Sequence, residues 1–407
     1  MLKVEDRFLK YVSYDTQSSE ESNLVPTTLK QCILGEELVR ELHEIGIINA
    51  HLDEFGIVYA SIEMNTKGYP KIGFIAHMDT SPDMSGADIK PRIIHDYDGG
   101  KIMLNEELKI IMDPIEFTCL SSNYHHDLIV TDGTTLLGGD DKAGVAEIMT
   151  MAETIMNNPQ ILHGTIQIAF TPDEEVGKGT DNFNIEKFDA DFAYTVDGSQ
   201  INDVNYENFN AAESIVKIQG LSIHPGSAKG KMINSQLLAM EFQSLLPTFD
   251  NPSFTENYEG FNHLTNIKGD CENTQMNYII RNHDNELLEK QKQDFRNASE
   301  YLNRKYPNAK LELEFSDTYS NMRNWIEKDM RVVDLAKRSI KDLGLEPVSS
   351  AIRGGTDGAR LTWNGLLCPN IGTGDYNCHG KFEYVSIDLM RQSVELLLKI
   401  IENSKDI

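Results

Sequence analysis

Apolar residues recur along this chain at helical spacing in some stretches and in short continuous runs elsewhere. Leu34, Leu38, Leu42 and Ile45 lie three or four residues apart, and Gly46 follows where a left-handed residue can end such a helix. Val145, Ile148, Met149, Ala152 and Ile155 repeat the pattern. So do Ile387, Met390, Val394, Leu397, Leu398 and Ile401, with Ser386 placed as the N-cap. Between these helices, apolar runs at 71–76, 165–170, 193–196 and 366–371 read as strands. Strand alternating with helix predicts an α/β fold, a sheet with helices on both faces.

Residues 212–320 follow another order. The pattern there is strand 214–218, helix 234–246, strands 263–269 and 275–281, helix 285–304 and strand 310–315. That βαββαβ order is the ferredoxin-like signature. The expected architecture is a catalytic α/β domain with a central, mostly parallel sheet, built from residues 1–210 and 321–407. A smaller ferredoxin-like α+β domain, residues 211–320, is inserted into it. The charged stretch 286–294 reads as a solvated helix face.

With 407 residues the chain is long enough for two or three domains. Lys and Arg number 37 against 64 Asp and Glu, a formal charge of -27 that repels phosphate backbones and argues against nucleic acid. No run approaches the ~20 apolar residues that span a bilayer, which argues against membrane contact. The first fifteen residues mix acids and bases without the apolar stretch of a signal peptide. Five dispersed cysteines with no CxxC disfavour a disulfide framework or a structural zinc knuckle. Reduced thiols in a cytoplasmic protein are the expectation.

The candidate chemistry falls where strands end, the place where open α/β sheets bind ligands. His77 and Asp79 close one apolar run. A neutral imidazole can bind a metal, and a carboxylate two residues on points to the same side and can fix its tautomer. Taken alone, His77 reads more readily as a satisfied histidine in a surface turn. Asp140-Asp141-Lys142 follow Gly138-Gly139 and open a helix. They read either as acids stabilised by the helix dipole or as a site where one carboxylate bridges two cations. Glu174-Glu175 follow another strand. Adjacent carboxylates at a buried strand end repel unless a cation neutralises them or their roles separate, one binding metal and the other taking a proton. Asp197-Gly198 could be only a turn, and His379 only a loop histidine. Together these acids and imidazoles are the ingredients of a two-metal hydrolytic site. Other signatures are missing: no His-Glu-x-x-His, no phosphate-binding GxxxxGK[ST], no dinucleotide glycine fingerprint and no Gly-x-Ser-x-Gly elbow.

With these stretches in view, the chain resembles the M20 family of dinuclear zinc exopeptidases nearly end to end. The likeness includes Asp132-Gly-Thr-Thr-Leu-Leu-Gly before the Asp pair, and Tyr206-Glu-Asn-Phe-Asn210-Ala-Ala. It continues through His224-Pro-Gly-Ser-Ala-Lys229, Arg353-Gly-Gly-Thr-Asp357-Gly and His379-Gly-Lys-Phe-Glu383. Gly139 departs from the family pattern, where alanine is usual before the Asp pair. The resemblance implies that His77, Asp140 and Asp197 bind one zinc and that Asp140, Glu175 and His379 bind the other, with Co²⁺ or Mn²⁺ as substitutes. It implies Glu174 as general base and Asp79 as the acid that orients. His224, Arg281 and Arg353 become candidates for substrate binding, His224 at the scissile carbonyl and the arginines at a terminal carboxylate. The implied activity is release of the N-terminal residue from tripeptides, through attack by a metal-bound hydroxide. The inserted domain would be a lid, and a homodimer could form through it.

Other M20-type activities would use the same centre with a different pocket: dipeptidase, carboxypeptidase or N-acyl amino acid deacylase. A non-catalytic, metal-stabilised binding protein would lack the base or a ligand, and neither is missing. Calcium is disfavoured, because it takes oxygen ligands and two histidines point to a transition metal.

Overall fold

The computed structural model describes residues 1–407, the Asp406 side chain excepted. The chain divides into two compact units. One comprises Met1–Tyr206, Asn324–Ser350 and Thr356–Ile407; the other comprises Glu207–Arg323 and Ala351–Gly355.

The first unit is built on a seven-stranded sheet. Its strands are β1 (His51–Leu52), β2 (Val58–Ile62), β3 (Ile72–His77), β4 (Ile166–Thr171), β5 (Phe192–Val196), β6 (Val204–Asn205) and β7 (Asn370–Ile371). Their spatial order is β1-β2-β4-β3-β5-β7-β6. The pairings β4·β3, β3·β5 and β5·β7 are parallel, whereas β1·β2, β2·β4 and β7·β6 are antiparallel. Every residue of β3 and β5 is buried, as expected of parallel strands covered on both faces. The run 366–371 is regular strand only at Asn370–Ile371. Ala193 and Thr195 of β5 still donate to the carbonyls of Leu367 and Pro369, at 2.9 and 3.2 Å. Pro369 has no N–H to add to the ladder, so regular pairing starts after it.

Four helices matter to the site: α1 (Val4–Tyr11), α2 (Lys30–Glu44), α3 (Gly139–Asn157) and α4 (Ile387–Asn403). Ser386 caps α4 by accepting from the Leu389 N–H at 3.3 Å. Helix α3 packs on β3 and carries α1 and α4 on its other sides, which is why it is buried nearly all round. Gly144 permits its close approach to β5, since a Cβ there would lie 1.9 Å from the Val196 carbonyl oxygen. Arg7, 1% exposed, ties three helices together. It donates to Glu41 at 2.5 Å, to Thr150 at 3.1 Å and to Glu153 at 2.7 Å. A buried guanidinium is tolerated only with such partners.

A four-stranded sheet (Arg92–Ile94, Leu128–Val130, Asp375–Tyr376 and Tyr384–Ser386) and a hairpin (Ile102–Asn105 with Ile110–Met112) complete this unit. Strands of two to four residues are too short for their periodicity to show in the sequence.

The second unit has strands Asn210–Gln219, Phe261–Gly269, Asn273–Asn282 and Lys310–Tyr319, with helices Ser235–Leu245 and Asn285–Lys305. The strand order is second-third-first-fourth and every pairing is antiparallel, the ferredoxin-like arrangement. Val216, Phe242, Met276, Tyr278 and Phe295 form the centre of its core. Among the described residues, no helix is long and apolar enough to cross a membrane.

Candidate metal centre

Three parallel strands end side by side. His77 is the last residue of β3, Glu174-Glu175 follow β4 by a short turn, and Asp197 directly follows β5. Asp140 enters from the loop that opens α3. Its φ of -83° and ψ of 100° are not helical, and neither are those of Asp141, so the regular helix starts after the Asp pair. His379, with φ 64°, comes from the loop between the two C-terminal short strands.

Asp140 is the hub. One of its oxygens lies 2.9 Å from His77 Nε2, and the other 3.3 Å from His379 Nε2. His379 Nε2 is also 2.9 Å from Glu175 Oε2. Two groups of donors result, His77–Asp140–Asp197 and Asp140–Glu175–His379, each with its ligand atoms within 4.8 Å of one another. The other nitrogen of each imidazole faces a further carboxylate: His77 Nδ1 lies 3.3 Å from Asp79 Oδ1, and His379 Nδ1 lies 3.4 Å from Asp83 Oδ2. Asp79 is fully buried, and its two oxygens accept the backbone N–H groups of Glu174 at 3.0 Å and Glu175 at 3.2 Å. One aspartate thus faces His77 and holds the acidic turn in place.

The two aspartates of the pair do different things. Asp141 is buried and turned to the backbone, accepting from the N–H of His77 at 3.1 Å and of Gly144 at 3.2 Å. Only Asp140 presents its carboxylate to both imidazoles. The Glu174 carboxyl belongs to neither group of donors.

Charge balance accounts for the protonation of these groups. Burial, followed by the nearby Asp140 charge, pushes the Glu175 and Asp197 carboxyls up to about 7. Burial also raises Glu174 well above the usual carboxylate range. The attraction of His77 opposes that rise, while Asp357, Asp197 and Glu175 reinforce it. Asp140 is lowered, because hydrogen bonds from His379 and His77 outweigh its burial. Hydrogen bonds to Asp140 and Glu175 raise His379 to about 11. Burial, and then the neighbouring acids, raise these carboxyls, and divalent cations would relieve both effects.

The donor set fits such ions. Each group combines an imidazole with carboxylates, the mixed nitrogen and oxygen donors that zinc and its neighbours accept. Among the described residues Glu175 Oε1 is buried without a hydrogen-bond partner, as befits an oxygen kept for a cation. A third group, Asp140–Asp375–Cys378, has a simpler account: Cys378 donates its thiol hydrogen to Asp375 Oδ2 at 2.9 Å. Burial and the Asp375 charge raise that thiol well above its ordinary value, which disfavours the thiolate a metal needs.

His224, Arg281 and Arg353, expected to touch substrate, all lie in the second unit. His224 is exposed, and its Nδ1 accepts the Gly226 N–H at 3.2 Å. Arg281 donates to the carbonyls of Ala212 and Ile280 at 3.2 and 3.1 Å and stacks over Tyr319. Arg353 donates to the carbonyls of Asn257 and Glu259 at 2.7 and 2.8 Å and to Thr255, and packs over Phe209. Both guanidiniums are thus committed to their own chain. Asp83, Asp357, Asp375 and Glu383 surround the centre without having been singled out as candidates from the sequence. The repeated pairing of an imidazole with an acid was a signal only for Asp79, two residues from its histidine.

Fold and donor set together define a class: a mixed α/β scaffold with two candidate metal-donor groups at its parallel strand ends, in a chain that also carries a ferredoxin-like unit. The sequence matches the peptidase family M20/M25/M40 over residues 131–403. It is 52% identical over 403 residues to a Peptidase T of Caldanaerobacter subterraneus subsp. tengcongensis, covering 99% of this chain and 98% of that one. The fold is similar to that of an aminopeptidase PepT from Bacillus cereus, with TM-score 0.77 at 22% identity over 99% of this chain and 98% of the other. It is also similar to that of a tripeptidase from Staphylococcus aureus, with TM-score 0.78 at 22% identity over 100% and 98%. The chain belongs to peptidase family M20/M25/M40.

Proposed function

We propose that this chain is a metal-dependent aminopeptidase that releases the N-terminal residue from tripeptides. The observation that carries the reading is the single carboxylate, Asp140, placed between two imidazole-containing donor groups, with the uncommitted acid Glu174 held beside them by Asp79. The 52% identity to a Peptidase T over nearly the whole chain supports tripeptides as substrates.

His77, Asp140 and Asp197 would hold one divalent cation and Asp140, Glu175 and His379 the other, with zinc the ion these donors favour and Co²⁺ or Mn²⁺ able to substitute. Such a pair, when bound, makes water more acidic and draws electron density from the scissile carbonyl. Glu174 takes the proton of the attacking water on its carboxylate and delivers it to the departing amide nitrogen as the C–N bond breaks. Asp79 keeps Glu174 in reach through the backbone bond and keeps His77 in one tautomer. His224, Arg281 and Arg353 are the proposed contacts to substrate, and the arginines must release their own carbonyl partners to make them. The five free cysteines suit the cytoplasm, the compartment proposed for it.

The test is hydrolysis of di-, tri- and tetrapeptides beside N-acetylated and N-succinylated amino acids, before and after chelation. Tripeptides with a free amino terminus should be cleaved fastest, chelation should abolish cleavage, and Zn²⁺, Co²⁺ or Mn²⁺ should restore it. Full activity in stripped protein, or preference for acylated amino acids, would overturn the proposal.

A further inference from the structure

Glu383 is 1% exposed, and one stretch of backbone fills its carboxylate. Its Oε2 accepts the N–H groups of Leu137 at 2.6 Å and Gly138 at 2.9 Å, and its Oε1 that of Asp140 at 3.2 Å. These donors belong to the loop that delivers Asp140. Successive backbone N–H groups turned to one point form a concave anion site, here occupied by a carboxylate of the same chain. The Glu383 N–H in turn donates to the Gly380 carbonyl at 3.1 Å, closing the turn that follows His379. Gly139, inside the same loop, packs closely against this region: a Cβ there would stand 2.6 Å from Val385 Cγ2 and 3.2 Å from Glu383 Oε1.

We propose that Glu383 is a positioning residue for the metal centre, setting the Asp140 carboxylate between the two ion sites and tying its loop to the loop that carries His379. The inference rests on the reading of Asp140 as the shared ligand. Glutamine cannot replace Glu383, because its amide offers one accepting oxygen and turns an NH₂ group toward a backbone N–H. Aspartate is one methylene too short to reach all three donors. A change at Glu383 therefore weakens both ion sites together, unlike a change at a ligand of only one.

The experiment is Co²⁺ binding by the metal-free protein in competition with a chromophoric chelator, for wild type, Glu383→Gln and Glu383→Asp, with circular dichroism of each metal-free form. Wild type should take two ions per chain. Glu383→Gln should keep the wild-type fold and weaken both binding steps by about 10- to 100-fold, the usual cost of losing a group that orients a ligand. Glu383→Asp should fall between, and it decides by the same readout if Glu383→Gln does not fold. Folded variants whose two steps stay within threefold of wild type overturn this inference alone. A wild type that does not take two ions overturns the reading of the centre, and this inference with it.

Discussion

Glu174→Gln isolates proton transfer from everything else the acidic turn does. The backbone N–H of Glu174 is bonded to Asp79 at 3.0 Å, so the residue keeps its place whatever its side chain. Its carboxyl is in neither donor group, so an isosteric amide should cost no metal. Burial and the neighbouring Asp357, Asp197 and Glu175 make its charge costly, so removing that charge should not destabilise the metal-free fold. What is lost is the ability to accept a proton. General-base catalysis contributes roughly 10²–10⁴ in rate, about 2.7–5.4 kcal/mol of barrier. The assay pairs steady-state kinetics on a tripeptide with metal analysis of the same preparation. kcat should fall by about 10²–10⁴, KM should stay within a few-fold, and two ions should remain per chain. A kcat within tenfold of wild type, or a lost ion, would refute the role given to Glu174.

Asp140→Ala should lose both ions, because it serves both donor groups, whereas Glu175→Ala should lose one; metal analysis after gel filtration would show equal losses if the grouping is wrong. Arg7→Ala leaves Glu41, buried at 3% exposure, with Lys10 as its remaining cation at 2.9 Å. Denaturant unfolding should show a loss that approaches but does not exceed the roughly 3–5 kcal/mol of a fully unpaired buried charge, and a loss no larger than a surface pair gives would refute it. His224→Ala should keep both ions and lower kcat by about 10²–10³, the usual cost of one lost donor to a developing charge; a few-fold change in kinetic assay would remove it from the reaction. Arg353→Ala frees the carbonyls of Thr255, Asn257 and Glu259, so limited proteolysis should cut that loop faster than in wild type, and an unchanged rate would show the contacts to be idle.

The helices around Leu38, Val145 and Val394 and the strands ending at His77, Thr171 and Val196 could be read from the sequence because each is long enough to repeat its own period. The βαββαβ order of the second unit was legible for the same reason, as were the acids and imidazoles that fall just past strand ends. Other features depend on distance in space. Pro369 shortened a strand whose apolar run continued through it, since periodicity does not register a missing N–H. The division between the units falls at Tyr206 and Asn324, with Ala351–Gly355 in the second unit. No composition shift marks that five-residue excursion. Spacing and composition do not separate Asp140 from Asp141. The family resemblance singled out Asp140, and the tertiary structure supplies the reason, with Asp140 open to two imidazoles and Asp141 spent on the backbone of His77 and Gly144. Glu383 reads as one more acid after a histidine until the loop 137–140, some 240 residues earlier in the chain, wraps its carboxylate. A side chain's local sequence limits its backbone and its face. Which donors surround its charge is decided by the segments that packing brings to it, and those lie far away along the chain.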